Sequence, residues 1–134
     1  MKYGPLLHRH QLKATPQRLV IIECMDSAGH ISIDDLFQQI REKFASISLA
    51  TLYKNIHMMI NVNLIREVMI PGQKSKYEIE KRPHAHLLCK RCSELKDIPF
   101  DPAPLLQEST KISHYVTDEV SIVISGVCPN CQKG

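Results

Sequence analysis

The chain has 134 residues, 43% hydrophobic and 23% charged, with 8 prolines and 5 glycines. That is enough for one ordinary domain or two small ones with an apolar core, and it excludes a mainly disordered or fibrous chain. The formal net charge of +3, from 17 Lys and Arg against 14 Asp and Glu, permits an acidic partner without requiring one. No apolar run approaches the ~20 residues of a membrane span. The opening MKYGPLLHRHQLKATPQR lacks the apolar stretch and cleavage site of a secretory signal, so a cytoplasmic protein without membrane contact is expected.

The first half reads as helical. A short helix is expected over 5–11. Thr15 is placed to cap the next helix and Pro16 to take its first position; Leu19, Val20, Ile21 and Ile22 supply apolar surface, and Gly29 ends the helix at about Ala28. Cys24 lies within this apolar pattern as an inert core thiol. Ser32-x-x-Asp35 resembles a capping box and leads into a helix to about Phe44, with Leu36, Phe37 and Ile40 inward. Ser48 caps a further helix through Leu52, Ile56, Met59 and Ile60 to about Asn61.

The period then changes to two. Residues 64–69 and 76–80 read as strands joined by a turn at 71–75. Helices followed by a hairpin are the order of a winged helix-turn-helix, with 48–61 placed to enter a major groove and the basic hairpin tip near a phosphate backbone. The pattern alone leaves open a small helical domain with an appended hairpin and no DNA role.

A second half begins near Arg82-Pro83, dividing the chain into domains at 1–80 and 81–134. Strands are expected over 84–88 and 96–98, a short helix over 102–109, and a strand in the β-branched run 115–125, closed by Gly126. So small a core has a physical need for a staple. The cysteines supply one: CKRC at 89–92 and CPNC at 128–131 are two C-x2-C pairs. In a reducing compartment this reads as Cys89, Cys92, Cys128 and Cys131 closing tetrahedrally on one structural Zn(II), with redox or disulfide chemistry the alternative.

Further residues have ligand character. His84 and His86 are two apart on an expected strand, so both imidazoles face one side and can share an ion, although such pairs also occur on solvated strands. Asp97 and Glu78 lie on other expected strands and could add oxygen ligands, or stand as solvated carboxylates. His30, beyond the end of a helix, could join them only as a ligand delivered from the first half.

The runs ATPQR at 14–18, SLATLYKNI at 48–56, HAHLLCKRC at 84–92 and GVCPNC at 126–131 resemble the ferric uptake regulator family of bacterial metal- and peroxide-responsive repressors. The resemblance covers nearly the whole chain with several motifs in order. It implies an α+β architecture: an N-terminal winged helix, then a small α/β dimerisation domain stapled by the four-cysteine zinc. It further implies a homodimer that binds a palindromic double-stranded operator when a regulatory metal is loaded. Carried over position by position, the regulatory site falls on His30, Glu78, His84, His86 and Asp97, a nitrogen and oxygen set suited to Fe(II) or Mn(II). Asp97 is similar to the peroxide-responsive branch, where hydrogen peroxide, the one small-molecule signal, oxidises a ligand histidine, here His30 or His84. Glu78 is similar to the iron regulators instead, so an iron- or zinc-responsive uptake regulator without peroxide sensing is the alternative. Pro83, Ala85 and Val120 cannot ligate where some relatives carry an additional site, which leaves two metals per subunit.

The resemblance also marks the DNA side. Tyr53 matches a base-contacting tyrosine able to pack on a thymine methyl, with a half-buried core aromatic as the alternative; Lys54 stands beside it, and Ser48 and Thr51 near phosphates at the helix start. Lys2, Lys13, Arg18, Lys74 and Lys76 are expected at the backbone, while His57 stands where relatives often have a basic residue. His8, His10 and His114 are assigned no role. Catalysis is not expected: the thiolate set is closed, and neither H-E-x-x-H nor a nucleophile elbow occurs. A zinc-stapled adaptor without a DNA role is the remaining class.

Overall fold

In the computed structural model, which describes residues 2–133, α1 (Gly4–Arg9) is shorter than expected because the chain turns at Gln11, whose φ is +62°. Thr15 starts α2 (Pro16–Ala28): its side chain accepts from the Arg18 N–H at 3.3 Å, Pro16 holds the first position, and Gly29 ends the helix at φ +78°. An unexpected two-residue strand, β1 (Ile31–Ser32), precedes α3 (Ile33–Arg41). Ser32 caps α3 by accepting from Asp35 N–H at 3.2 Å. The helix stops before Phe44; the Lys43 and Phe44 N–H groups both return to the carbonyl of Ile40, a tightened last turn.

Ser48 caps α4 (Leu49–Asn61) by accepting from Thr51 N–H at 3.1 Å. The strands β2 (Ile65–Val68) and β3 (Lys76–Ile79) pair antiparallel, and β1 adds to the other edge of β3 to give the order β1-β3-β2. Leu7, Ile21, Ile22, Met25, Leu36, Ile40, Leu52, Ile56 and Met59 are all fully buried in one cluster, so the helices and hairpin share a single core.

The chain divides into two compact units, Met1–Glu80 and Lys81–Gly134. The second contains β4 (His84–Cys89), β5 (Leu95–Pro99), α5 (Ala103–Ser113), β6 (Val123–Gly126) and α6 (Pro129–Gln132). Its sheet has the order β5-β4-β6, antiparallel between β4 and β5 and parallel between β4 and β6. The strand expected over 115–125 is confined to Val123–Gly126. The earlier part of that run is not paired into the sheet. His114, at φ +64°, turns the chain at the end of α5, and the Thr117 hydroxyl bonds the Leu106 carbonyl at 2.9 Å and Thr110 Oγ1 at 2.7 Å. α5 runs one turn beyond its expected end at 109.

Candidate metal centres and nucleic-acid interface

The four cysteines converge because two local structures face each other. β4 delivers Cys89 at its last residue, and the turn after it, with Ser93 at φ +64°, places Cys92. The parallel partner β6 leads to Cys128, the N-cap of α6, and one helical turn brings Cys131. All four Sγ atoms lie within 4.8 Å of one another. The Cys92 and Cys128 sulfurs are 3.8 Å apart, far beyond a disulfide. That is the edge of a tetrahedron with zinc–sulfur bonds of about 2.3 Å.

The electrostatics fit the same ion. Cys89 Sγ accepts N–H groups from Cys128 at 3.4 Å and Cys92 at 3.5 Å, which lowers its thiol to about 6. Hydrogen bonding to Cys128, followed by burial, pushes Cys131 up to about 12. Against the lowering effect of the Glu94 N–H, Cys92 is also raised, by sharing with Cys89 and by burial. One thiolate is stable alone; ionising all of them needs a cation among them, and the closed four-sulfur donor set suits Zn(II).

Each unit carries nitrogen and oxygen donors of its own. In the second, His84 and His86 stand on one face of β4, and Asp97 sits directly opposite His86 on β5. His84 Nδ1 is 2.9 Å from the Arg82 carbonyl; as the donor there, it leaves the Nε2 lone pair facing inward. The two Nε2 atoms are 3.1 Å apart, the span of two nitrogens on one ion at bonds of about 2.1 Å. Asp97 Oδ1 lies 3.5 Å from His86 Nε2 and 3.9 Å from His84 Nε2. Its other oxygen holds the Lys81 ammonium. This nitrogen and carboxylate set suits Fe(II) or Mn(II) better than the thiolate cluster does.

In the first unit, His30 Nε2 lies 3.1 Å from Glu78 Oε2. Glu78 is fully buried, and its second oxygen is 4.0 Å from Arg66 Nε, which stands opposite it on β2. A carboxylate so placed is tolerable only with such partners. Neither Arg66 nor Lys81 was reached from the sequence. Strand register would have found the first, since 66 and 78 pair across the hairpin; nothing in the period marks the second.

On α4, Lys54 is exposed, whereas Tyr53 is half-buried, packed beside the core with its ring 6.0 Å from that of His57. Ser48 is occupied as the cap, and its hydroxyl also bonds Thr51 Oγ1 at 2.9 Å. Arg18, expected at the phosphate backbone, turns inward to α4: Nε donates to Asn55 Oδ1 at 3.1 Å, and Nη1 to the Lys13 carbonyl at 3.0 Å. Lys2 and Lys74 are likewise engaged, with Asp26 at 3.4 Å and Asp34 at 2.8 Å. No helix of the described residues is long and apolar enough to cross a membrane.

The model of the ferric uptake regulator family matches residues 9–124. Over 132 residues the chain is 28% identical to a peroxide-responsive repressor, PerR, of Staphylococcus epidermidis, covering 95% of this chain and 86% of that protein. The crystal structure of a Campylobacter jejuni peroxide stress regulator superposes with a TM-score of 0.74 at 31% identity, over 98% of this chain and 100% of that one. The Vibrio cholerae ferric uptake regulator follows at 0.70 and 26%, over 93% and 98%.

Proposed function

Since the chain belongs to the ferric uptake regulator family, we propose that it is a metal-dependent, peroxide-sensing transcriptional repressor. It acts in the cytoplasm as a homodimer on palindromic operator DNA and is not an enzyme. The observation that carries the reading is Asp97, a short carboxylate set across the β4–β5 ladder from His86 with one oxygen toward both imidazoles. Relatives named for peroxide response support it.

In this reading Cys89, Cys92, Cys128 and Cys131 hold Zn(II) permanently. The regulatory set takes His84, His86 and Asp97 from the second unit and His30 and Glu78 from the first. Fe(II), when bound, supplies the one-electron chemistry that activates hydrogen peroxide. The chain's part is to hold an imidazole carbon within reach. One oxygen atom enters His30 or His84 and one water leaves, and the altered ring no longer matches the donor geometry. Ligands drawn from both units couple metal load to DNA affinity, by no more than the metal's differential affinity for the binding-competent arrangement. Tyr53, Lys54, Thr51 and Ser48 form the DNA face at the start of α4. Ile112, Tyr115 and Val116, exposed at 72%, 74% and 96%, supply apolar surface for the second copy.

Peptide-resolved mass spectrometry of Fe(II)- and Mn(II)-loaded protein, each given low hydrogen peroxide, tests the reading. One added oxygen on a peptide carrying His30 or His84, with iron and not with manganese, is expected, together with loss of DNA binding. Unmodified histidines in both forms, with DNA binding that follows metal alone, would assign a reversible metal-responsive regulator instead.

A further inference from the structure

Arg18 lies in the third position of α2, where Thr15 fixes its backbone N–H. Its side chain leaves α2 and spans to α4. Nε donates to Asn55 Oδ1 at 3.1 Å, Nη1 donates to the Lys13 carbonyl at 3.0 Å, and Nη2 lies 3.5 Å from Met58 Sδ. Asn55 in turn donates from Nδ2 to the Thr51 carbonyl at 3.1 Å, so both ends of its amide are committed and its orientation is set. A continuous polar chain thus runs from the loop carrying Lys13, through Arg18 and Asn55, to Thr51 in the first turn of α4, between the cap Ser48 and the second-turn residues Tyr53 and Lys54.

The core side of α4 is apolar: Leu52, Ile56 and Met59 are fully buried. Apolar packing is non-directional and tolerates small rotations about the helix axis. A planar guanidinium with donors in a fixed fork does not. We propose that Arg18 is a positioning residue: through Asn55 it fixes the rotation of α4, and through the Lys13 carbonyl it fixes the distance from α4 to the loop that precedes α2. Discrimination between DNA sequences then depends on a residue that does not itself meet the DNA. The proposal rests on α4 being the recognition helix.

The test uses full-length, zinc-retaining protein loaded with Mn(II). The parent first selects a duplex from a random library, and binding to that duplex and to a scrambled one is followed by fluorescence anisotropy over a range of salt. Arg18→Lys keeps the charge but not the fork, and is expected to lose about tenfold or more on the selected duplex, the scale of a misread base pair, with little change on the scrambled one. Arg18→Ala should lose the same discrimination while its salt slope stays that of the parent. Asn55→Ala should reproduce the loss, and the double variant should be no worse than either single one, because both act through one chain of contacts.

The proposal is overturned if Arg18→Lys binds like the parent while Arg18→Ala weakens both duplexes alike and lowers the salt slope by about one, the signature of a phosphate contact. Should the Arg18 variants fail to fold, Asn55→Ala decides: intact discrimination in that variant overturns the proposal. If the parent enriches no sequence at all, the reading of α4 fails instead, an outcome distinct from the others.

Discussion

The unit Met1–Glu80 closes over fully buried Leu7, Ile21, Ile22, Met25, Leu36, Ile40, Leu52, Ile56 and Met59, whereas the described residues of Lys81–Gly134 bury, among apolar side chains, just Ala85, Leu88 and Cys89. α5 in the second unit has no buried residue. At roughly 1.5–3 kcal/mol per buried aliphatic side chain, the first unit can offset its conformational entropy from its own core. The second cannot, and its stability has to come from the metal among its cysteines and from a partner covering its exposed apolar residues. The same short chain therefore uses two solutions to the problem of small size.

The largest expected effect breaks the comparison at the zinc. A structural zinc is worth about 10–16 kcal/mol of apparent binding free energy, as much as a whole domain's stability. Cys128→Ser, or exhaustive chelation, should abolish hydrogen-exchange protection in β4 and β6 while leaving that of α2 and α4 in place. Persistent protection of β4 without zinc would mean that the second unit stands on its own core. Acidification should act the same way more gently. Cys92 lies above its ordinary value and Cys131 at about 12, so both still carry protons at neutral pH and must release them to the metal. Apparent zinc affinity should therefore fall by at least about two decades per pH unit as pH is lowered, and more steeply below about pH 6, where Cys89 also takes up a proton, measured by competition with a chelator in a pH series.

The converse prediction concerns the first unit. Leu52 is fully buried between helices and hairpin, and Leu52→Ala should cost about 2–5 kcal/mol. The melting of α2 and α4 should shift, with zinc content unchanged at one ion per chain. Loss of zinc in this variant would show that the two units do not fold on separate accounts.

This division also explains what could be read from the sequence. Caps and periods are local, so Thr15, Ser32 and Ser48 marked their helices correctly and Gly29 marked an end. The cysteine pairs carry their chemistry in their spacing, and the structure brings them within 4.8 Å. The errors fall where pairing decides. β1 is two residues long and exists because β3 has an open edge beside it, while the apolar start of 115–125 lies outside the sheet, held to α5 by Thr117. The inward turn of Arg18 was out of reach for the same reason, since Asn55 is 37 residues away and no local pattern links them. In the nitrogen and oxygen sets, His84 and His86 were visible as a strand pair, but their alignment with Asp97 depends on the β4–β5 register.

The smallest effects come from two carboxylates of similar design. Glu78 and Asp97 each stand between a histidine and a basic residue, Arg66 in one case and Lys81 in the other. Glu78 is fully buried, so Arg66→Met leaves a desolvated charge with poorer compensation and should destabilise the first unit by about 1–3 kcal/mol. The Asp97 side chain is 28% exposed and that of Lys81 42%, and water can replace the lost partner. Lys81→Met should then leave thermal stability within about 0.5 kcal/mol. Its consequence is for ligation, because the ammonium and a divalent ion compete for the same carboxylate. Removing that like charge should tighten Mn(II) binding roughly threefold to tenfold, in line with about 1 kcal/mol for a partly exposed pair, as read by competition with a fluorescent chelator. Weaker binding would instead mean that Lys81 holds one oxygen of Asp97 so as to aim the other, making it an orienting group for the metal site and not a competitor.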